Sequence, residues 1–248
     1  MTSSLENDMK FMGESTHPGG HFRDIAVMGR TRMDGDVVCR SFSCMGEAQV
    51  RGSLQSGRTR IMGQTRVGGP VDAGDFSVMG RMDCAATLRA RKLSCMGELD
   101  VHGQVDAEAA RVFGKMTVQG DCNVDEFHSR GIFEVSGLLS VDHLLVRPHG
   151  PCRAGEIGGA RIEVRRAGGV LDRIPLVGWM RSCLFGGSRS RLEVESIEGD
   201  DVSLEDTTAK VVRGARVRIG RGCRVGVVEY RDSLRQEDDG EVGESRKV

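Results

Sequence analysis

Small or apolar residues alternate with polar ones along most of the chain, and the alternation itself recurs. From Val27 it repeats every 17 residues through seven units ending near Leu145. With positions numbered 1 to 17 in each unit, position 3 is Gly29, Gly46, Gly63, Gly80, Gly97, Gly114 and Gly131. Position 7 is Met33, Val50, Val67, Cys84, Val101, Val118 and Val135, and position 11 is Val37, Leu54, Val71, Leu88, Val105, Cys122 and Leu139. The word Ser-Cys-Met-Gly-Glu occurs twice, at 43–47 and 94–98, which are three such units apart. The small or apolar columns fall at positions 16, 1, 3, 5, 7, 9, 11 and 13. Steps of two are the period of a strand. Because 17 is odd, one step must be three, and it lies between 13 and 16, where a corner with an extra residue belongs. A helix would need apolar residues three and four apart, and glycine at positions 3 and 9 of every unit would weaken it.

The unit is therefore one extended coil, with a circuit of roughly 56 Å at ~3.3 Å per residue. That suits three short strands around a narrow core, with successive coils stacked at about 4.8 Å. The pattern predicts an all-β fold, a right-handed parallel β-helix or solenoid with coils of about 17 residues. Glycine at positions 3 and 9 is expected to point inward, at tight bends. Five segments follow. Residues 1–21 read as a flexible N-terminal lead-in and 22–164 as the main tract. Residues 165–191 interrupt the alternation as an insertion or cap. Residues 192–230 form a second short tract, in which Gly199/Gly214, Val202/Val217 and Leu204/Ile219 pair at a spacing of 15. Residues 231–248 read as a charged, disordered tail.

Composition fits many corners around a narrow core: 35 Gly, 5 Pro and only 4% aromatic residues. The 35 basic and 36 acidic residues leave a net charge of -1, which supplies no field to attract nucleic acid. The first ten residues hold no basic stretch followed by an apolar one, so no signal peptide is expected, and no run of ~18 apolar residues predicts a membrane span. The eight cysteines lack any Cys-x-x-Cys spacing and read as reduced thiols, several of them small hydrophobes in inward columns.

The coil Val101-His102-Gly103-Gln104-Val105-Asp106-Ala107, followed by Ala110, Val112 and Gly114, resembles the coils of the bactofilin family. The resemblance covers 22–164 and, more loosely, 192–230, as in longer two-tract members. It implies a bacterial, cytoplasmic, polymer-forming cytoskeletal protein, often at the inner face of the membrane. Such proteins scaffold cell-shape and envelope machinery, and some serve motility and flagellum assembly. The chain departs from the usual pattern in its insertion. Its N-terminus also offers only Met9, Phe11 and Met12 where an apolar membrane-targeting stretch is common.

No catalytic or metal-binding set emerges. The six histidines (17, 21, 102, 128, 143 and 149) fall in different columns, with no nucleophile arrayed beside them. His17-Pro18-Gly19-Gly20-His21 reads as a loop rather than a metal pair. We expect no enzyme activity and no cofactor. Two surfaces stand out. Position 2, an outward column, holds Met28, Met45, Met62, Met79, Met96 and Phe113. Stacked coils would line these into an apolar ridge, either covered by a terminal segment or used for lateral contact with another filament or a partner. The insertion carries Leu176, Trp179, Met180, Leu184 and Phe185, suited to a cap on the rod or a partner-binding loop. The expected function is self-polymerisation as a scaffold. The expected partners are copies of itself and envelope or flagellar assembly proteins, with peripheral membrane contact and no nucleic acid. The alternative is a monomeric β-helical binding module for a cytosolic partner.

Overall fold

An alternating strand buries one face only, so each coil needs a core to close on, and the chain makes one by winding on itself. A computed structural model describes residues 8–166 and 190–248. The chain divides into two compact units, Met1–Asp125 and Glu126–Val248. Among the described residues all regular structure is β, and each unit is a parallel β-solenoid.

The first unit contains β1 (Met9–Phe11), β2 (Glu14–His17), β3 (Gly20–Val27), β4 (Arg30–Met33), β5 (Val37–Cys44), β6 (Glu47–Val50) and β7 (Leu54–Ile61). It continues with β8 (Gln64–Val67), β9 (Val71–Val78), β10 (Arg81–Cys84), β11 (Leu88–Cys95), β12 (Glu98–Val101), β13 (Val105–Val112) and β14 (Lys115–Val118). A coil is an eight-residue strand, a Met-Gly link, a four-residue strand and a three-residue link. From β3 on, each strand pairs in parallel with its counterpart 17 residues on, as in Val37↔Leu54 and Glu47↔Gln64. The extra corner residue lies where the step of three places it. Cys39 pairs with Ser56 and Ser41 with Arg58, while Arg40, at position 14, is skipped.

The core is built from positions 1, 5, 7, 11, 13 and 16, with Phe42, Leu54, Met82, Leu99 and Val105 fully buried. The inward placement expected for the glycine columns is corrected. Gly46, Gly63 and Gly52 are only half-buried and lie in the links between strands. Glycine is required there by close approach. A Cβ on Gly46, Gly80 or Gly114 would stand 2.0 Å from the carbonyl oxygen of the glycine one coil before.

A further strand, β15 (Cys122–Ser129), contains the boundary between the units. The second unit has longer strands, β16 (Ile132–Val146), β17 (Pro151–Val164), β18 (Arg191–Leu204), β19 (Thr207–Ile219) and β20 (Arg224–Gln236), followed by the shorter β21 (Glu241–Lys247). β18 and β19 pair at the expected spacing of 15, through Gly199↔Gly214 and Val202↔Val217. Both tails are more ordered than their composition suggests. β1 and β2 occupy the expected lead-in, and β21 pairs with β20 within the expected disordered tail. The N-terminal coil is offset by 16 rather than 17, as in Met9↔Ile25, which hides it from a 17-residue register. β21 leaves almost every side chain exposed and is held by backbone pairing, which composition does not report. The insertion residues Leu176, Trp179, Met180, Leu184 and Phe185 lie outside the described residues.

Candidate functional site: an exposed methionine ridge

The ridge begins as a consequence of the Met-Gly link. The link leaves the core at position 1 and re-enters at position 5, so position 2 points outward. Its backbone is fixed by the coil before. The Met28 N–H donates to the Phe11 carbonyl, Met45 to Val27, Met62 to Cys44 and Met96 to Val78, each at 2.8 Å. In each case the following glycine N–H shares the same acceptor, as Gly63 does with Cys44 at 3.1 Å. The cysteine of the repeated word serves this link as a weak S–H donor. Cys44 Sγ donates to the Gly46 carbonyl at 3.4 Å and Cys95 Sγ to that of Gly97 at 3.5 Å.

The six expected residues are brought into one row and left exposed, from 42% at Met62 to 51% at Met28, Met79 and Phe113. Met12, 75% exposed, precedes Gly13 and extends the row by one coil. Sequence reading missed it because its coil is one residue short. Seven coils at about 4.8 Å give a row of roughly 29 Å. Among the described residues no chain segment covers it, and an apolar row of this length on a surface is the mark of an interaction site.

The flanks of the ridge are polar. On one side position 4 carries Glu14, Arg30, Glu47, Gln64, Arg81, Glu98 and Lys115, each in register with the next. Arg30 pairs with Glu47 at 2.9 Å, Glu98 accepts from Arg81, and Lys115 reaches Glu98 at 3.3 Å. The hydrogen bond from Arg81 holds the Glu98 carboxyl below its ordinary pKa. On the other side position 17 is mostly small, as at Ala26, Ser43, Ser77 and Ser94, with exposed Arg60 and Arg111.

Several other chemistry-bearing groups are buried or held in contacts within the coils. Burial pushes the thiols of Cys39, Cys95 and Cys122 up to about 12 and those of Cys152 and Cys223 to about 11, which removes nucleophilic character at neutral pH. His17 stands edge-on to Phe22, centroids 5.3 Å apart, and its Nδ1 accepts from the Gly19 N–H at 3.2 Å. No cluster of three or more potential metal ligands occurs among the described residues. A shallow groove of about 750 Å³ in the second unit is lined by Glu156, Glu198, Asp200, Arg213, Glu229 and Arg231. Its arginines are already paired, Arg213 with Glu229 at 2.8 Å and Arg231 with Asp200 at 3.2 Å. No helix among the described residues is long and apolar enough to cross a membrane.

No protein-family model matches the chain, and no solved structure matches it. The chain is similar to two proteins of Bacillus subtilis (strain 168), both described as uncharacterized. YhbF is 34% identical over 113 residues, which is 45% of this chain and 42% of that protein. YhbE is 32% identical over 116 residues, 46% of this chain and 45% of that protein. The chain thus spans less than half the length of either relative.

Proposed function

We propose that this protein is a self-polymerising scaffold, a cytoskeletal element of the bactofilin type that acts without enzymatic activity. One observation carries the reading. Among the described residues β1 pairs only with β3, β2 only with β4, and β21 only with β20, so each leaves one edge of backbone N–H and C=O groups open. Such edges are templates for another strand, and in a solenoid a second copy continues both the ladder and the core. The coil pattern around Val101–Gly114 supports the family resemblance, and with it a cytoplasmic location at the inner membrane face and partners in envelope or flagellar assembly.

A second reading, a monomeric binding module, is favoured by the chemistry of β21. Its Glu241, Glu244, Arg246 and Lys247 are exposed, and charge on an edge strand discourages pairing. Sedimentation velocity across a concentration series separates the two. The scaffold shifts to ever larger species as concentration rises. A constant single-chain mass would leave the binding module.

A further inference from the structure

The position-4 column beside the ridge has a charge order with a consequence for self-association. From Glu14 to Lys115 it reads negative, positive, negative, neutral, positive, negative, positive, with Gln64 at the centre. An unbroken alternation over seven positions would read the same in both directions. Two copies laid antiparallel would then oppose like charges. The neutral Gln64 changes the phase, so reversal exchanges every sign.

We propose that the occupant of the methionine ridge is the ridge of a second copy, antiparallel, with the two-fold axis at Met62 and Gln64. In that register Glu14 of one copy faces Lys115 of the other, Arg30 faces Glu98, and Glu47 faces Arg81. Each cross-copy pair occurs twice, as two-fold symmetry requires. Gln64 meets Gln64, whose amides both donate and accept. In the apolar row Met62 meets Met62, Met45 meets Met79 and Met28 meets Met96, and flexible thioethers mesh without demanding a single fit. Parallel pairing would set position 4 against position 17. It would gain Glu14 against Lys10 but oppose Lys115 to Arg111, set the neutral Gln64 against Arg60 and leave the other charges facing serine or alanine. The position-17 flank counts against the antiparallel register, because it brings Arg60 to Arg60 and Lys10 to Arg111. The contact therefore leans to the position-4 side. Opposed charges of this kind set register and reject wrong alignments.

This contact uses the side of the first unit and does not rest on end pairing. The test is a disulfide crosslink through Met62→Cys in a Cys183→Ser background, since the other seven cysteines are buried. The full-length protein is expected to give a covalent dimer under mild oxidation. Adding Glu47→Arg, or Arg81→Glu, places two like-charge contacts in the pair. Either change should cut the crosslink roughly tenfold or more, with circular dichroism unchanged. Mixing the two charge variants should restore it, because the hybrid pair again opposes Arg to Glu on both sides while each chain keeps its altered internal charges. Filaments made by end pairing should persist in every variant, so their loss would count against the scaffold and not against this contact. No Met62→Cys dimer, a dimer indifferent to Glu47→Arg, or no rescue on mixing would each overturn the antiparallel ridge pair.

Discussion

The two units solve the same packing problem with different regularity. In the first, coils from β3 on advance by 17 residues, with a Met-Gly link at each turn except Phe113-Gly114. In the second, the offset is 15 between β18 and β19, while β19 and β20 begin at 16 and shift at a bulge after Gly214. Both bury an alternating apolar face, as Val101 and Val217 illustrate with 1% and 2% exposure. Among the described residues only the first unit builds a continuous outward row. In the second, the exposed large apolar side chains described, Leu138 and Val248, form no such row. Alternation is thus enough for a solenoid core, whereas a surface ridge needs a link repeated in place, so that one outward position stacks on itself, as it still does where the Met12 coil is one residue shorter.

The core should be equally sensitive in both units. Val101→Asp and Val217→Asp each bury an unpaired charge and are expected to cost ~4 kcal/mol, read by chemical denaturation. His102→Asp, on the adjacent exposed position, should cost less than about 1 kcal/mol. Equal losses for Val101→Asp and His102→Asp would break the alternation on which both units rest.

The glycine positions should differ with how closely the neighbouring coil approaches. A Cβ on Gly97 would lie 2.0 Å from the Gly80 carbonyl oxygen, whereas one on Gly214 would lie 2.9 Å from that of Gly199. Gly97→Ala is therefore expected to cost about 3 kcal/mol and Gly214→Ala about 1 kcal/mol. Equal melting temperatures for the two variants would mean that the link at Gly97 is no tighter than the strand position of Gly214.

The buried thiols give a smaller, pH-dependent contrast. Their folded-state values lie above the ordinary 9.0, so the stability they contribute is complete below pH 9.0 and falls as pH rises. For Cys39, Cys95 and Cys122 the loss extends to about 12, and for Cys152 and Cys223 it is complete by about 11. Melting curves from pH 8 upward should show declining stability above pH 9. A flat profile would contradict the burial of these groups.

The smallest effect on stability should come from the ridge. Replacing Met45, Met62 and Met79 together by Gln should change folding stability by less than about 0.5 kcal/mol per site, while removing lateral pairing. Leu138→Gln in the second unit should leave that pairing intact. A large fall in melting temperature with new protease cleavage near the chain ends would show instead that a terminal segment covers the ridge.

Much of this contrast was legible in the residues themselves. The apolar columns at 1, 5, 7, 11 and 13 identify the coil, and the step of three locates the corner at Arg40. The outward methionines were legible for the same reason. Columns 3 and 9 misled, because small residues at an even spacing look like core. Glycine there answers a backbone approach from the neighbouring coil, which only the stacked structure reveals. Met12 and Glu14 escaped because one coil is shorter by a residue. β21 escaped because strand pairing can hold a charged segment with no apolar face.

The central claim, that copies of this chain join into filaments, is tested most directly by negative-stain electron microscopy of the purified full-length protein over a concentration series. The account predicts rods many times longer than one chain, still present when Met45, Met62 and Met79 are replaced by Gln. Particles of single-chain size at every concentration would contradict it.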